Sequence, residues 1–300
     1  VSGSKTIVQG IAAAALRSVR RPARRAPGKG PDWPSSQRLA VGVMLGLALL
    51  LLAQYWLDPV ATIDPRKLPS WIGGWIGSFS AYGKSGWVLW PIAGLLLAAL
   101  LAAGSTRVRR DRLVFTSFAA RLLFLLTAVA VPGLAVSIVK PLIGRVRPFV
   151  NGSVDPFLFQ PFAYFRELAG SMPFPEYFYG SMPSGHTANA FAIAVAFGSL
   201  WPRLWPLLIA FALAIAASRL AIGVHHVTDV MTGALIGTFG ALAIRHLFAL
   251  RRLVFAVDDK GRVFAMPGPS LRGLAIGARR LLRTRQPRFA ATGLAPEAKR

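Results

Sequence analysis

Long apolar runs parted by short polar links dominate the chain. Six such segments lie near 39–57, 87–104, 113–139, 187–201, 205–221 and 227–245. A helix needs about 20 apolar residues, with a range of roughly 17–25, to cross the hydrocarbon of a bilayer. The first three segments reach that length plainly. The fourth is short unless it extends back through Gly185-His186, and only Pro202-Arg203-Leu204 parts it from the fifth. Gly and Ala are frequent in the last three (AIAVAFG, GALIGTFGA). Such small residues let helices pack closely in lipid, where burial alone supplies no driving force. The pattern predicts an all-α integral membrane protein, a bundle of six transmembrane helices over residues 39–245, with basic tails at 1–38 and 246–300.

The tails carry weaker patterns. Residues 1–38 are rich in Arg, Pro and Gly, with no acid before Asp32, and the apolar stretch Ile11–Leu16 is too short to span. A cytoplasmic basic tail is the plainer reading; an organelle transit peptide is the alternative. Leu253–Met266 reads as two short strands around Asp-Asp-Lys-Gly. Beyond it, Leu271, Leu274, Ala275, Ala278, Leu281 and Leu282 share one helical face, with Arg272, Arg279, Arg280 and Arg283 on the other. That segment fits either an amphipathic helix on an anionic cytoplasmic surface or a solvated basic tail.

Composition sharpens this picture. The chain is 54% apolar and 15% charged, with a mean hydropathy of +0.51, whereas soluble domains are roughly 25% charged. Disorder, collagen and an ordinary nucleic-acid-binding domain are thereby excluded. There is no Cys, so disulfides, thiol nucleophiles and Cys-bound metal are excluded as well. Four His and 11 acids speak against a dense metal cluster, and neither a metal nor a cofactor is expected.

Charge sets an orientation. Most of the 35 Lys and Arg fall in the N-terminal tail, loop 105–112, the link 202–204 and the tail from 245. Loops 58–86, 140–186 and 219–226, on the opposite side, carry few. The positive-inside rule places both termini in the cytoplasm, and loop 105–112 (STRVRRDR) alone gives that answer. Arg121, inside the third segment, is placed to snorkel toward the cytoplasm.

The polar residues with chemical potential lie on the other side, in three clusters. Lys140, Arg145, Arg147 and Pro148 follow the third segment; taken alone they read as snorkelling charges. Pro183-Ser184-Gly185-His186 opens the fourth, where Ser suits an N-cap and a helix N-terminus offers free N–H groups to an anion. Ser218-Arg219, His225 and Asp229 bracket the link to the sixth. On a helix, His225 and Asp229 would share a face, and the carboxylate would hold one ring nitrogen while the other acts as nucleophile. A structural ion pair is the plainer alternative. Three cations and two His, converging from three segments, predict one pocket for a multiply charged anion, for which phosphate is the natural ligand.

Lys140-x6-Arg147-Pro148, Pro183-Ser184-Gly185-His186 and Ser218-Arg219-x5-His225-x3-Asp229 resemble the three-part signature of the type 2 phosphatidic acid phosphatase superfamily, at eleven specified positions in order. The resemblance covers roughly residues 90–245 and leaves the tails outside. It implies that Lys140, Arg147 and Arg219 hold phosphate oxygens, with Ser184 and the Gly185 backbone as further donors. It implies that His225 attacks phosphorus, that Asp229 orients it, and that His186 protonates the leaving oxygen and then helps water attack. It also implies metal-independent chemistry. Arg145 and His226 are auxiliary candidates, Arg145 for the phosphate or another headgroup charge, His226 as a structural neighbour.

Loop 149–182 carries nine aromatics between Phe157 and Tyr179. Rings favour the headgroup zone, so the loop reads as a lid or lateral entrance, or as a folded cap with its own small core. A lipid phosphate is therefore the expected substrate and membrane lipids the expected surroundings, with no nucleic-acid partner. Candidate substrates are undecaprenyl diphosphate, phosphatidylglycerol phosphate, phosphatidic acid and the lipid A phosphates. The expected place is a bacterial inner membrane with the site facing the periplasm. Transfer of the phosphoryl group to another lipid is an alternative outcome of the same intermediate. A non-catalytic lipid-binding or transport protein is an alternative of another class, but it has no need of the His225–Asp229 pair. The related soluble haloperoxidases fit poorly with six spans.

Overall fold

The structure, a computed structural model, describes residues 34–61, 64–149, 155–162 and 176–285. Most of the N-terminal tail, much of the aromatic loop and the last residues of the chain lie outside the described residues. The helices are α1 (Ser36–Trp56), α2 (Ser70–Ser80), α3 (Gly86–Ser105), α4 (Arg109–Ile143), α5 (Gly185–Leu200), α6 (Trp205–Ala221), α7 (Val227–Leu250) and α8 (Leu271–Arg285). Between α7 and α8 a hairpin pairs β1 (Phe255–Val257) antiparallel with β2 (Val263–Ala265), Ala256 opposite Phe264.

Among the described residues, five segments are long and apolar enough to cross a membrane: Ser36–Trp56, Ser70–Ser105, Arg109–Ile143, Pro202–Ala221 and Val227–Leu250. The second joins α2 and α3 through a short turn. Sequence reading leaves α2 inside a loop, because Gly73-Gly74 and its serines weaken the apolar signal. The fourth expected crossing, α5, has 16 residues and falls short of a span by length. Pro183 stands just before its start and Pro202 just after its end, so the helix is confined from both sides.

That short helix is the centre of the bundle. Ala188, Ala190, Ala192, Ile193, Ala194, Val195 and Ala196 of α5 are all buried, and α4, α6 and α7 pack around it. Close approach replaces bulk here. A Cβ on Gly237 of α7 would strike the Ala188 carbonyl, and one on Gly233 would strike the Ser184 carbonyl. By contrast α1 contacts chiefly α7 and turns Leu45, Leu49 and Leu51 outward, the surface of a lipid-facing helix.

At the opposite end from the polar clusters, the C-terminal hairpin is held by two arginines from the spans. Arg121 donates to the carbonyls of Met266 and Pro267, both at 2.8 Å, and to Ser117. Arg245 donates to the Val263 carbonyl at 2.6 Å. Helix α8 rests on the start of α4, where a Cβ on Gly277 would stand 3.0 Å from the Phe115 ring, and Arg280 lies 3.3 Å from Asp111. Its apolar face is split: Leu274 and Leu281 are half-buried, while Leu271 and Leu282 are exposed.

Candidate active site

The end of α4 starts the site. Lys140 lies in its last turn, and Gly144 closes the helix in the left-handed region at φ +60°, its N–H bonded to the Lys140 carbonyl at 2.9 Å. Any Cβ there would run into the Gln160 carbonyl, so glycine is required on both counts. The reversal lays residues 145–147 across the helix ends. Val146 N–H donates to Leu158 O, Arg147 N–H to Phe178 O and Ser181 N–H to Arg145 O. Lys140 Nζ donates to the Gly180 carbonyl at 2.6 Å, and the Arg147 guanidinium to the Val224 carbonyl at 3.0 Å, next to His225.

The N-terminus of α5 faces these cations. Ser184 N–H donates to the main-chain carbonyl of Asp229 at 2.9 Å, which ties the start of α5 to the start of α7. A Cβ on Gly185 would lie 3.9 Å from Lys140 Cε, so the lysine stem passes directly over the glycine. The first-turn N–H groups of a helix have no partner within it, and this is where an anion gains most from backbone donors. His186 is half-buried beside them. The Gly83 backbone presses so closely on it that an added Cβ would sit 2.7 Å from His186 Cβ. Arg219, in the last turn of α6, is buried and donates to Ser80 Oγ at 2.5 Å. Arg147 and Arg219 act electrostatically on Lys140, and all three cations act on His186. The structure thus gathers Lys140, Arg147, Ser184, Gly185, His186, Arg219 and His225 into one polar cluster.

His225 and Asp229 meet in a different way from a shared helical face. Helix α7 starts at Val227, two residues after His225, so the pair straddles the helix start. Asp229 is the third residue of α7 and folds back, its Oδ2 accepting from His226 N–H at 2.8 Å. Gly223, at φ +65°, turns the chain just before. His225 Nδ1 then lies 3.5 Å from Asp229 Oδ2. This is ion-pair range but longer than a formed hydrogen bond, and Nδ1 has no hydrogen-bond partner among the described residues. Contacts of this kind tighten on substrate binding in many enzymes. Burial pushes the His225 imidazole down to about 3, against the opposing pull of Asp229, with Arg147 and Lys140 adding to the fall. The ring is therefore neutral near pH 7, the state in which an imidazole nitrogen is nucleophilic.

Arg145 and His226 stand apart from this cluster. Arg145 is fully buried, and its guanidinium is engaged by Asp58 at 2.6 Å and Asp229 at 2.7 Å. The side chain expected to assist a phosphate is turned into the protein by that pairing. His226 is buried at the N-cap of α7. Asp58, Ser80, Ser181 and Thr228 are site neighbours that sequence reading missed. The one signal was Asp58 itself, an acid at the end of an apolar run.

The profile of the PAP2 superfamily matches residues 121–253. Over these residues the chain is similar to the PAP2 superfamily. The match takes in every motif position and leaves α1–α3, with Asp58 and Ser80, outside. The chain is 28% identical over 205 residues to the lipid A 1-phosphatase of Rhizobium johnstonii, covering 67% of this chain and 78% of that protein. It is 31% identical over 138 residues to the lipid A 1-phosphatase of Rhizobium etli, covering 46% and 55%. Among solved structures, the PAP2-type phosphatidylglycerolphosphate phosphatase of Bacillus subtilis aligns with a TM-score of 0.44 at 19% identity, over 70% of this chain and 92% of that one. Aquifex aeolicus LpxE aligns with a TM-score of 0.39 at 22% identity, over 67% and 94%. Apolar helices and the similarity to PAP2 proteins together support an integral membrane protein.

Proposed function

We propose that this chain is a membrane lipid phosphatase that removes a phosphoryl group from a lipid headgroup through a phosphohistidine on His225. The carrying observation is the convergence of Lys140, Arg147 and Arg219 on the open N-terminus of α5, with a neutral His225 beside them. The relatives named lipid A 1-phosphatase favour a lipid A phosphate as substrate.

In the first step His225 Nε2 forms a bond to phosphorus as the bond from phosphorus to the leaving oxygen breaks. His186, held neutral in the free site by burial and the nearby cations, takes up a proton as the phosphate anion enters beside it and gives that proton to the leaving oxygen. The imidazole gains positive charge, which Asp229 balances across Nδ1. In the second step water attacks phosphorus and passes a proton to His186, the N–P bond breaks, and inorganic phosphate leaves with His225 neutral again. The three cations and the Ser184–Gly185 donors stabilise charge on the equatorial oxygens in both steps. A general acid contributes about 10²–10⁴-fold. No metal is required by this scheme, and the site is read as facing the periplasm.

The test is phosphate release by the purified protein in detergent with EDTA, from a panel of lipid A, phosphatidic acid, phosphatidylglycerol phosphate and undecaprenyl diphosphate. Release from lipid A is expected, with kcat lowered by about 10³-fold or more in His225→Ala. Undiminished release in that variant would remove His225 from the role of nucleophile.

A further inference from the structure

Beneath the phosphate-facing cations lies a second, fully buried charge cluster. Arg145 Nη2 donates to Asp58 Oδ2 and to the Pro156 carbonyl, both at 2.6 Å. Its Nη1 donates to Asp229 Oδ1 at 2.7 Å and to Thr228 Oγ1 at 2.6 Å, and its Nε to the Pro156 carbonyl at 3.2 Å. Thr228 Oγ1 donates in turn to Asp58 Oδ2 at 2.5 Å, and Thr228 N–H to Asp58 Oδ1 at 3.0 Å. The second oxygen of Asp229 accepts from Ser181 Oγ at 2.5 Å and from His226 N–H. Asp58 and Asp229 are both wholly buried. Asp58 comes from the turn after α1, outside the residues that match the superfamily.

The charges decide what this arrangement does. A guanidinium paired with Asp229 alone would cancel the carboxylate that faces His225. Two carboxylates sharing one guanidinium leave a net negative charge, and it lies beside the ring that becomes cationic on phosphorylation. Buried ions persist only when each is paired and hydrogen-bonded, and here every partner is supplied. We propose that Asp58 is a positioning residue of the phosphatase site: by sharing Arg145 with Asp229, it fixes the Asp229 carboxylate against His225 and keeps the cluster negative. The end of the first span thereby completes a site whose motifs lie on other helices. The inference rests on reading His225 as the nucleophile.

The experiment compares the full-length wild type, Asp58→Asn, the double variant Asp58→Asn with Arg145→Gln, and His225→Ala, in detergent. Two readouts are taken: kcat and KM for phosphate release from lipid A, and affinities for orthovanadate and inorganic phosphate by thermal shift. Asp58→Asn is expected to lower kcat by about 10–100-fold, the size of effect that misplacing a reacting group produces, with KM held within about twofold. Vanadate, which mimics the transition state, is expected to bind about tenfold more weakly, while inorganic phosphate changes little. The double variant regains most of the lost kcat, because Asp229 again supplies the net charge. A residue that merely anchored α1 would make the double variant no better than the single one, and that result would overturn the proposal. So would unchanged kcat and vanadate affinity in Asp58→Asn. Should Asp58→Asn aggregate, the double variant decides: a kcat within about tenfold of wild type supports the inference, and a greater loss or a failure to fold overturns it. Retained turnover in His225→Ala, or a wild type that neither releases phosphate nor binds vanadate, would instead overturn the reading of the site itself.

Discussion

His225 is held neutral inside the protein, and that state has a cost that depends on pH. Its folded-state value of about 3 lies below the ordinary 6.5. Between these two values the unfolded chain binds a proton that the folded chain does not. The stabilising contribution is therefore fully present above pH 6.5 and is lost as pH falls toward about 3, at up to about 1.4 kcal/mol per pH unit. His226, pushed down by burial too, contributes with the same sign. The thermal midpoint of the wild type in detergent is expected to fall between about pH 7.5 and pH 5, and to fall less steeply in His225→Gln. Equal slopes would show that His225 does not carry this linkage. The motif residues were legible in the sequence because their chemistry is local: a cation near a helix end, a Ser-Gly at a helix start, a His four residues before an acid. The partnership of Asp58 with Arg145 was not, because 87 residues separate them, and a single acid after a span looks like any loop acid. Nor was the geometry of His225 and Asp229, since the same spacing serves a helical face and a folded-back helix start.

Among the elements, the contact between α5 and α7 does the most to place the site. Gly233 lies against the Ser184 carbonyl, one hydrogen bond from the Asp229 backbone, so the two helix starts are set by how closely the helices touch. A methyl group at this point has nowhere to go, because backbone rather than a flexible side chain meets it. Gly233→Ala is expected to destabilise by about 1–3 kcal/mol, the usual cost of overpacking, and to lower kcat as Ser184 and Asp229 are pushed apart. Gly94 of α3 has open space around its added Cβ, and Gly94→Ala is expected to be neutral or stabilising by up to about 1 kcal/mol. Thermal midpoints and phosphate release on both variants check the pair, and equal behaviour would show that the α5–α7 approach is not limiting. The richness of Gly and Ala made close packing legible in the sequence, but not which helix they would meet. The brevity of α5 was also visible, whereas α2 was hidden because its glycines sit on a helix with open space around them. The C-terminal helix shows a similar gap: its apolar stripe predicts one face, yet Gly277 sets the contact by admitting the Phe115 ring.

At the scale of the molecule, the cations divide into two populations with different partners. Those around Lys140, Arg147 and Arg219 converge on a helix N-terminus, while Arg121 and Arg245 clasp the C-terminal hairpin by its carbonyls. Span-length helices run between the two groups, so in a bilayer each group is expected at its own surface. From the excess of Lys and Arg on the hairpin side, the positive-inside rule predicts a cytoplasmic hairpin and a candidate site that opens on the periplasmic side. The chain has no Cys, so a single introduced thiol reports its own side. Lys67, before α2, and Lys260, at the hairpin turn, are both exposed and take no part in the site. In intact cells, Lys67→Cys is expected to react with a membrane-impermeant maleimide once the outer membrane is permeabilised. Lys260→Cys is expected to react only after lysis. The reverse pattern would put the site in the cytoplasm, and with it a different pool of lipid phosphates; labelling of both in intact cells would mean that the five long helices do not separate the two surfaces.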